Sequence, residues 1–247
     1  MNVICKFNFS IESWNFALNR EVAEHEWKEE ASYWYEQIQT RESIKPKLDF
    51  LPLAQRRRLN NEARLMFEAA WDLTNQEDNY PVIYASLRSE INRSLELIQS
   101  LVTEGSISPT SFGLSVHNAL IGQWSILKKV TQESTAISSL YENLEVSLLK
   151  AYTLLQEGHK KVVILLVEGE LSSKFDYREQ DLQLPLSYAL ALVVVPGNDY
   201  TLTMVEEATL PQPPFIDSNL LFIKSQKLGL QSWDSYAQER SWKWCKN

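Results

Sequence analysis

Residues 108–170, SPTSFGLSVHNALIGQWSILKKVTQESTAISSLYENLEVSLLKAYTLLQEGHKKVVILLVEGE, carry the reading that decides the fold. Ser108 and Pro109 make a turn into a helix, because proline is tolerated at a first helical position. Residues 134–139 read as a short strand or a second helix start, and they run directly into Leu140, Leu144, Leu148 and Leu155, spaced for one helical face. A fully apolar strand, 162–167, follows. A strand that delivers a helix is the unit of an α/β sheet. The N-terminus of such a helix gathers unpaired N–H groups and the positive end of the helix dipole, which is where an anion or a nucleophile is held. The residues on that turn are Ser138, Ser139, Leu140, Tyr141 and Glu142, with no cysteine and no glycine for a sharp elbow.

Outward from this stretch, composition bounds the answer. With 247 residues, 44% of them hydrophobic, the chain can bury a sizeable core, and disorder is excluded. The apolar runs 162–167 and 189–195 are far shorter than the ~20 residues that span a bilayer. No secretory apolar region follows the start MNVICKFNFS, so a cytoplasmic protein without a membrane span is expected. Cys5 and Cys245 stand at opposite ends with no CxxC or Cys/His spacing, so no metal site, no disulfide and no cofactor is expected. A net charge of −8 argues against nucleic acid as a partner. Only 7 glycines occur, and neither GxGxxG nor GxxxxGK[ST] is present.

In chain order, residues 1–18 read as a short strand and a turn. Residues 19–41 are charged and aromatic (Trp27, Tyr33, Trp34, Tyr35), fitting an exposed helix or lid, or rings that pin a loop to the body. Residues 45–53 are extended by two prolines. Leu59, Ala63, Met66, Phe67, Ala70 and Trp71 predict one amphipathic helix over 54–73, with Arg56, Arg57 and Arg58 at its front. That arginine run is unfavourable at a helix N-terminus unless something acidic lies opposite: it is either a solvated face or a dock for an acidic carrier. Residues 81–87 read as a buried strand, and 88–102 as a helix with Ile91, Leu95, Ile98 and Leu101 on one side, ended at Gly105. Residues 161–169 and 186–196 read as buried strands and 200–206 as an edge strand. Pro211, Pro213 and Pro214 make a rigid connection to a last segment holding Trp233, Trp242 and Trp244. The fold class is α/β, a mixed sheet with helices on both faces.

The SP at 108–109, Asn118, the block SVHNA, GQWSI at 122–126 and a strand ending on a helix together resemble the N-terminal half of a β-ketoacyl synthase of the thiolase-like fold. ASLRSEINRSLELIQ and the final SWKW resemble a short bacterial subgroup linked to type II polyketide and aryl polyene pathways. The resemblance implies a single β-ketoacyl synthase-like N-terminal domain over 1–247, truncated relative to a full ketosynthase, with its core at about 53–207 and an extension over 208–247. Along an ungapped comparison the family's nucleophilic cysteine falls on Tyr141. A phenol with an ordinary pKa near ~10 forms no thioester. The family's two active-site histidines belong to a second half, whereas His25, His117 and His159 all lie in the part matching the first.

What the resemblance implies is a chain length factor. Such a subunit is not an enzyme alone, but pairs as a heterodimer with a full-length β-ketoacyl synthase and meets an acyl carrier protein through the complex. The strand Ser134, Thr135, Ala136, Ile137, Ser138, Ser139 would lie antiparallel to the partner's equivalent, and side chains would wall the tunnel that takes the growing chain. Leu87, Ile91, Phe112, Leu114, Ser115 and Asn118 are the wall and interface candidates, with Tyr141 and Glu142 at the missing acyl site. Each apolar member also fits ordinary core packing. Two rivals stand beside it. One is a serine acyltransferase using Ser138 or Ser139 with His117 or His159 as base and Glu142 or Glu168 as orienter. The other is a carrier-docking scaffold built on Arg56, Arg57 and Arg58.

Overall fold

Strand β-formers in this chain are apolar on both faces where both faces are covered, and the sheet is built around them. The computed structural model describes residues 2–75, 78–172, 185–206, 216–237 and 239–247. Strand β1 (Val3–Leu18) leads through a 3-10 turn to the short α1 (Ala31–Tyr33) and a π-turn, Trp34–Ile38. Helices α2 (Leu53–Arg56) and α3 (Asn61–Ala70) precede β2 (Val82–Ala85), and α4 (Ile91–Glu104), α5 (Pro109–Gly113) and α6 (Ala119–Lys128) precede β3 (Ser134–Ile137). Then come α7 (Asn143–Gln156), β4 (Val162–Glu168), β5 (Tyr188–Glu206), α8 (Ser218–Lys227), β6 (Ser232–Tyr236) and β7 (Arg240–Lys246).

The strands form one sheet in the order β3-β2-β4-β5-β7-β6, with β1 also on β5. Strand β2 is parallel to β3 and β4, and β5 is antiparallel to both β4 and β1, so β1 runs the same way as β2, β3 and β4. Side chains alternate across the pleat. On one face Ile83, Ile164, Leu166, Leu190 and Leu192 pack with Leu144, Leu148 and Ala151 of α7 and with Phe222 of α8. On the other, Val82, Tyr84, Val163 and Leu165 pack with Ala63, Met66 and Phe67 of α3 and with Leu120 and Trp124 of α6. Helices therefore cover both faces, as expected from the apolar runs. Each fully buried side chain of this size contributes about 1.5–3 kcal/mol. Among the described residues no helix is long and apolar enough to cross a membrane.

Three local readings are corrected, and of the two readings of residues 19–41 the structure bears out the rings that pin a loop to the body. The first strand is long, because β5 offers a partner from Leu18↔Tyr188 to Val3↔Val205. The helix expected over 54–73 is broken: α2 ends at Arg56, Asn60 caps α3 by accepting from the Ala63 N–H at 2.9 Å, and the arginines follow the first turn instead of leading the main helix. Residues 200–206 are not an edge, since β1 pairs one side and β7 the other. Trp27 and Trp34 are buried, so the aromatic segment after β1 is pinned to the body. Pro211, Pro213 and Pro214 lie outside the described residues.

Between its β4-paired and β7-paired portions, β5 bulges away from β1: Ser10 pairs with Val195 and Phe9 with Tyr200. Gly197 sits in this bulge, and a Cβ placed on it falls 1.9 Å from Ser10 Oγ and 2.6 Å from Ser10 Cβ. Gly197→Ala is therefore expected to cost about 1–3 kcal/mol through overpacking, read as a lower urea midpoint. Adding Ser10→Gly should restore most of the loss, and an unrestored midpoint would place the cost elsewhere.

Candidate functional site

Two features of the sheet's β3 end lack the cover that the rest of the molecule has. Strand β3 is paired by β2 along one edge, and the described residues place no strand on its other edge. An open edge presents a row of unpaired backbone donors and acceptors, a template for another strand. Ser134, Ala136 and Ser138 are exposed there, and Thr135, Ile137 and Ser139 are half-buried. Helix α4 is amphipathic over 14 residues and has no buried residue. Ile98 and Val102 are 59% and 80% exposed, Phe112 of α5 is 58% exposed, and Ile126 of α6 is 79% exposed. On α4 the exposed Ile98 and Val102 stand four residues apart on one helical face, an apolar stripe of the kind that marks a contact surface.

The arm formed by α4 and α5 is nonetheless firmly tied to the sheet. Ser94 Oγ donates to the Ser115 carbonyl at 3.1 Å, and Ser89 Oγ donates to the His117 carbonyl at 3.0 Å. His117 Nε2 bonds the Ser86 carbonyl at 2.8 Å and its ring packs edge-on to Tyr84. Leu87 is half-buried in the loop after β2, and Ile91, the first residue of α4, is exposed. Leu114 and Ser115 are half-buried after α5, and Asn118, exposed, caps α6 instead of lying mid-helix. Ordinary core packing, the other reading of the apolar members, thus fails for Ile91 and Phe112.

The turn from β3 into α7 has the expected strand-to-helix form. Ser139 N–H donates to Asn143 Oδ1 at 2.7 Å, and Tyr141 is half-buried. Glu142, buried at the N-cap position, accepts from Trp242 Nε1 at 2.6 Å and from Arg240 through Nε at 3.0 Å and through Nη2. One helical turn on, Glu145 accepts from Ser235 Oγ at 2.5 Å and from Trp244 Nε1 at 3.2 Å. Burial pushes Glu145 up to about 7. Glu142 thus stands at the N-cap of α7, with its carboxylate held by Arg240 and Trp242 and no side-chain capping bond to the helix. Sequence reasoning did not find this contact. Its only trace was a pair of glutamates three apart and a pair of tryptophans two apart, the spacings of a helix face and a strand face.

Behind the turn, Glu168 at the end of β4 gathers the loop after β2. It accepts from the Leu87 N–H at 2.6 Å, the Arg88 N–H at 3.3 Å and Asn143 Nδ2 at 3.1 Å. Burial lifts its pKa to about 7 against the pull of those amide donors, and Asp217 adds to the rise. Asp217 is itself raised by burial; it accepts from Tyr188 Oη at 2.5 Å and caps α8. Among the described residues neither Ser138 nor Ser139 bonds a histidine, so the geometry assembles no serine–histidine pair. No group of three or more His, Cys, Asp or Glu able to hold a metal occurs among the described residues. Arg56 pairs with Asp49 at 2.6 Å, and Arg57 and Arg58 are exposed in the turn before α3.

A family model described as beta-ketoacyl synthase, N-terminal domain, matches residues 24–245. No curated protein matches the chain. Among solved structures, a ketosynthase in complex with its chain length factor from Xenorhabdus doucetiae is 24% identical at a TM-score of 0.81, over 97% of this chain and 100% of the matched one. The ishigamide ketosynthase/chain length factor gives 10% identity and a TM-score of 0.60, over 81% of this chain and 68% of the other. A β-ketoacyl synthase from Burkholderia phymatum gives 13% and 0.56, over 91% and 71%. These likenesses establish the fold, a mixed thiolase-like sheet with helices.

The buried Glu168 generates a pH prediction. Its folded pKa, about 7, lies above the ordinary carboxyl value of 4.5, so its contribution to stability is fully present below 4.5 and is lost as pH rises through 7. Urea unfolding of the protein should show stability falling by on the order of 3 kcal/mol between pH 5 and 8 from this group. Glu168→Gln should be less stable at pH 5, because one backbone N–H loses its acceptor, and should have a shallower slope. Equal slopes for the two proteins would assign the pH dependence to other groups.

Proposed function

The chain belongs to the β-ketoacyl synthase N-terminal domain family, and from that membership we propose that it is a chain length factor. In this reading it lacks condensing activity of its own. It forms a heterodimer with an active β-ketoacyl synthase in the cytoplasm and helps wall the tunnel that takes the growing acyl or polyene chain, in type II polyketide biosynthesis of the aryl polyene kind. Two observations carry the reading: α4 is a 14-residue amphipathic helix with no buried residue, and β3 has an open edge among the described residues. A helix with an apolar stripe must bury it against something.

In this reading no group among the described residues performs the condensing chemistry. By the resemblance Tyr141 falls where the family's nucleophile stands, and the next residue, Glu142, is held by Arg240 and Trp242. His117 is committed to the Ser86 carbonyl, so it is unsuited to stabilising an enolate. The likeness to a chain from a ketosynthase and chain length factor complex, spanning nearly all of both chains, supports a subunit of this size. Ser134, Thr135, Ala136 and Ile137 are then the strand that meets the partner, with Phe112 beside it, while Leu87, Ile91, Leu114, Ser115 and Asn118 reach toward the tunnel. Arg57 and Arg58, exposed before α3, are the place for an acidic acyl carrier protein to touch the complex.

Co-expression with a candidate ketosynthase tests the pairing. Ile98→Asp with Val102→Asp, both at exposed positions, should abolish co-purification while leaving the melting temperature of the isolated chain within a few degrees, as surface changes stay near ~0.5 kcal/mol. Retained co-purification would remove α4 from the interface. In the intact complex, Phe or Ala at Leu87, Ile91 or Leu114 should shift the product length by whole extension units without dissociating the subunits, as read by mass spectrometry of the polyene. A product distribution unchanged across that series would take these positions out of the tunnel.

A further inference from the structure

The C-terminal hairpin is attached to α7 by an unusual set of polar contacts, and one of them can be switched off by a proton. Strands β6 and β7 turn Trp233, Ser235, Trp242 and Trp244 inward, with Ser235 opposite Trp242 and Trp233 opposite Trp244. The rings of Trp233 and Trp244 stack at 5.0 Å. Against this face, α7 presents Glu142 and Glu145. Glu142 is matched by a cation, Arg240, and by the Trp242 indole. Glu145 has neutral donors only: Ser235 and Trp244 both reach Oε1, and Oε2 has no hydrogen-bond partner although it is buried. A carboxylate in that position would hold negative charge on an unsolvated, unpaired oxygen, which is among the costliest arrangements a protein interior can contain.

We propose that the β6–β7 hairpin is a pH-gated latch on the first turn of α7, shut while Glu145 carries a proton and loosened when Glu145 ionises. The hairpin is the end of the sheet: among the described residues β6 pairs only with β7, β7 pairs with β5, and neither pairs with β2 or β4. The charged groups on the elements packed around Glu145 are Glu142 with Arg240, Asp217 at the start of α8, and the Asp234–Lys243 pair across the hairpin at 3.0 Å. No lysine or arginine pairs with Glu145 itself, and the side chain that α8 brings to it is the neutral Ser218. Because the same strand carries Trp242 and Arg240, release at Glu145 also frees the turn 138–142 beside the open sheet edge. The burial that raises Glu145 to about 7 puts the transition near neutrality. The sign follows: protonated and closed below that value, ionised and loosened above it.

Hydrogen exchange of the full chain at pH 6.0 and 8.5, corrected for intrinsic exchange, reads the latch. Protection of 232–246 should fall about tenfold or more beyond any fall in β4, since opening is favoured tenfold for each pH unit above the transition. Glu145→Gln, which cannot ionise, should show no such excess. A loss shared equally by the hairpin and β4, or the same excess in Glu145→Gln, overturns the latch. Should that variant fail to fold, the indole N–H signal of Trp244, assigned through Trp244→Phe, serves in its place. It should titrate with a midpoint near ~7, and a signal that stays fixed from pH 6.0 to 8.5 also overturns it.

Discussion

Two indole N–H groups donating to two carboxylates at the start of α7 fix how the last thirty residues sit on the rest of the molecule. Glu142 meets Trp242 and Glu145 meets Trp244, so a helix spacing of three is matched to a strand spacing of two. With that contact in place α7 has the sheet on one side and α8 with the hairpin on the other. Its N-terminal turn is therefore held at the end of β3 for as long as that contact lasts. Had the first turn of α7 been left to solvent, its unpaired N–H groups would have had to find water or a ligand.

Much of this architecture was legible before the structure, and the reason is local. Strands β2 and β4 are covered on both faces, so their sequences are unbroken apolar runs, and the turn at 138–142 was visible as a polar strand passing into a leucine-spaced helix. The periodicity of Ile91, Leu95, Ile98 and Leu101 gave α4 correctly. It could not say that the stripe would face outward, because periodicity records that a face is apolar and not what covers it. The break between α2 and α3 had a signal, Asn60 three residues before Ala63 in a run of good helix formers, but the apolar spacing across it suggested continuity. The length of β1 was hidden because its register depends on β5, on the far side of the sequence.

The candidate site divides the same way. Residues of β3 and the adjoining turn come together as the strand-to-helix motif requires. Glu142 and Glu145 gave no warning of their partners, which lie about a hundred residues on. Three buried carboxylates, Glu145, Glu168 and Asp217, are all raised by burial around one end of the sheet, an arrangement that favours neutral acids over charged ones there. Such a site holds its shape through neutral donors and acceptors.

The pairing of β1 with β5 bears on how the chain comes off the ribosome. Strand β1 is made before its register partners, which run from Tyr188 to Val205, so it stays without them while the residues between are synthesised. At ~5–20 residues per second that interval is on the order of ten seconds or more. Throughout it a β-rich ribbon carrying Val3, Ile4, Phe7, Phe9 and Ile11 is available to any passing strand. Closure of the sheet is thus a late, non-local event, and the yield of folded protein depends on keeping that ribbon solitary until β5 arrives.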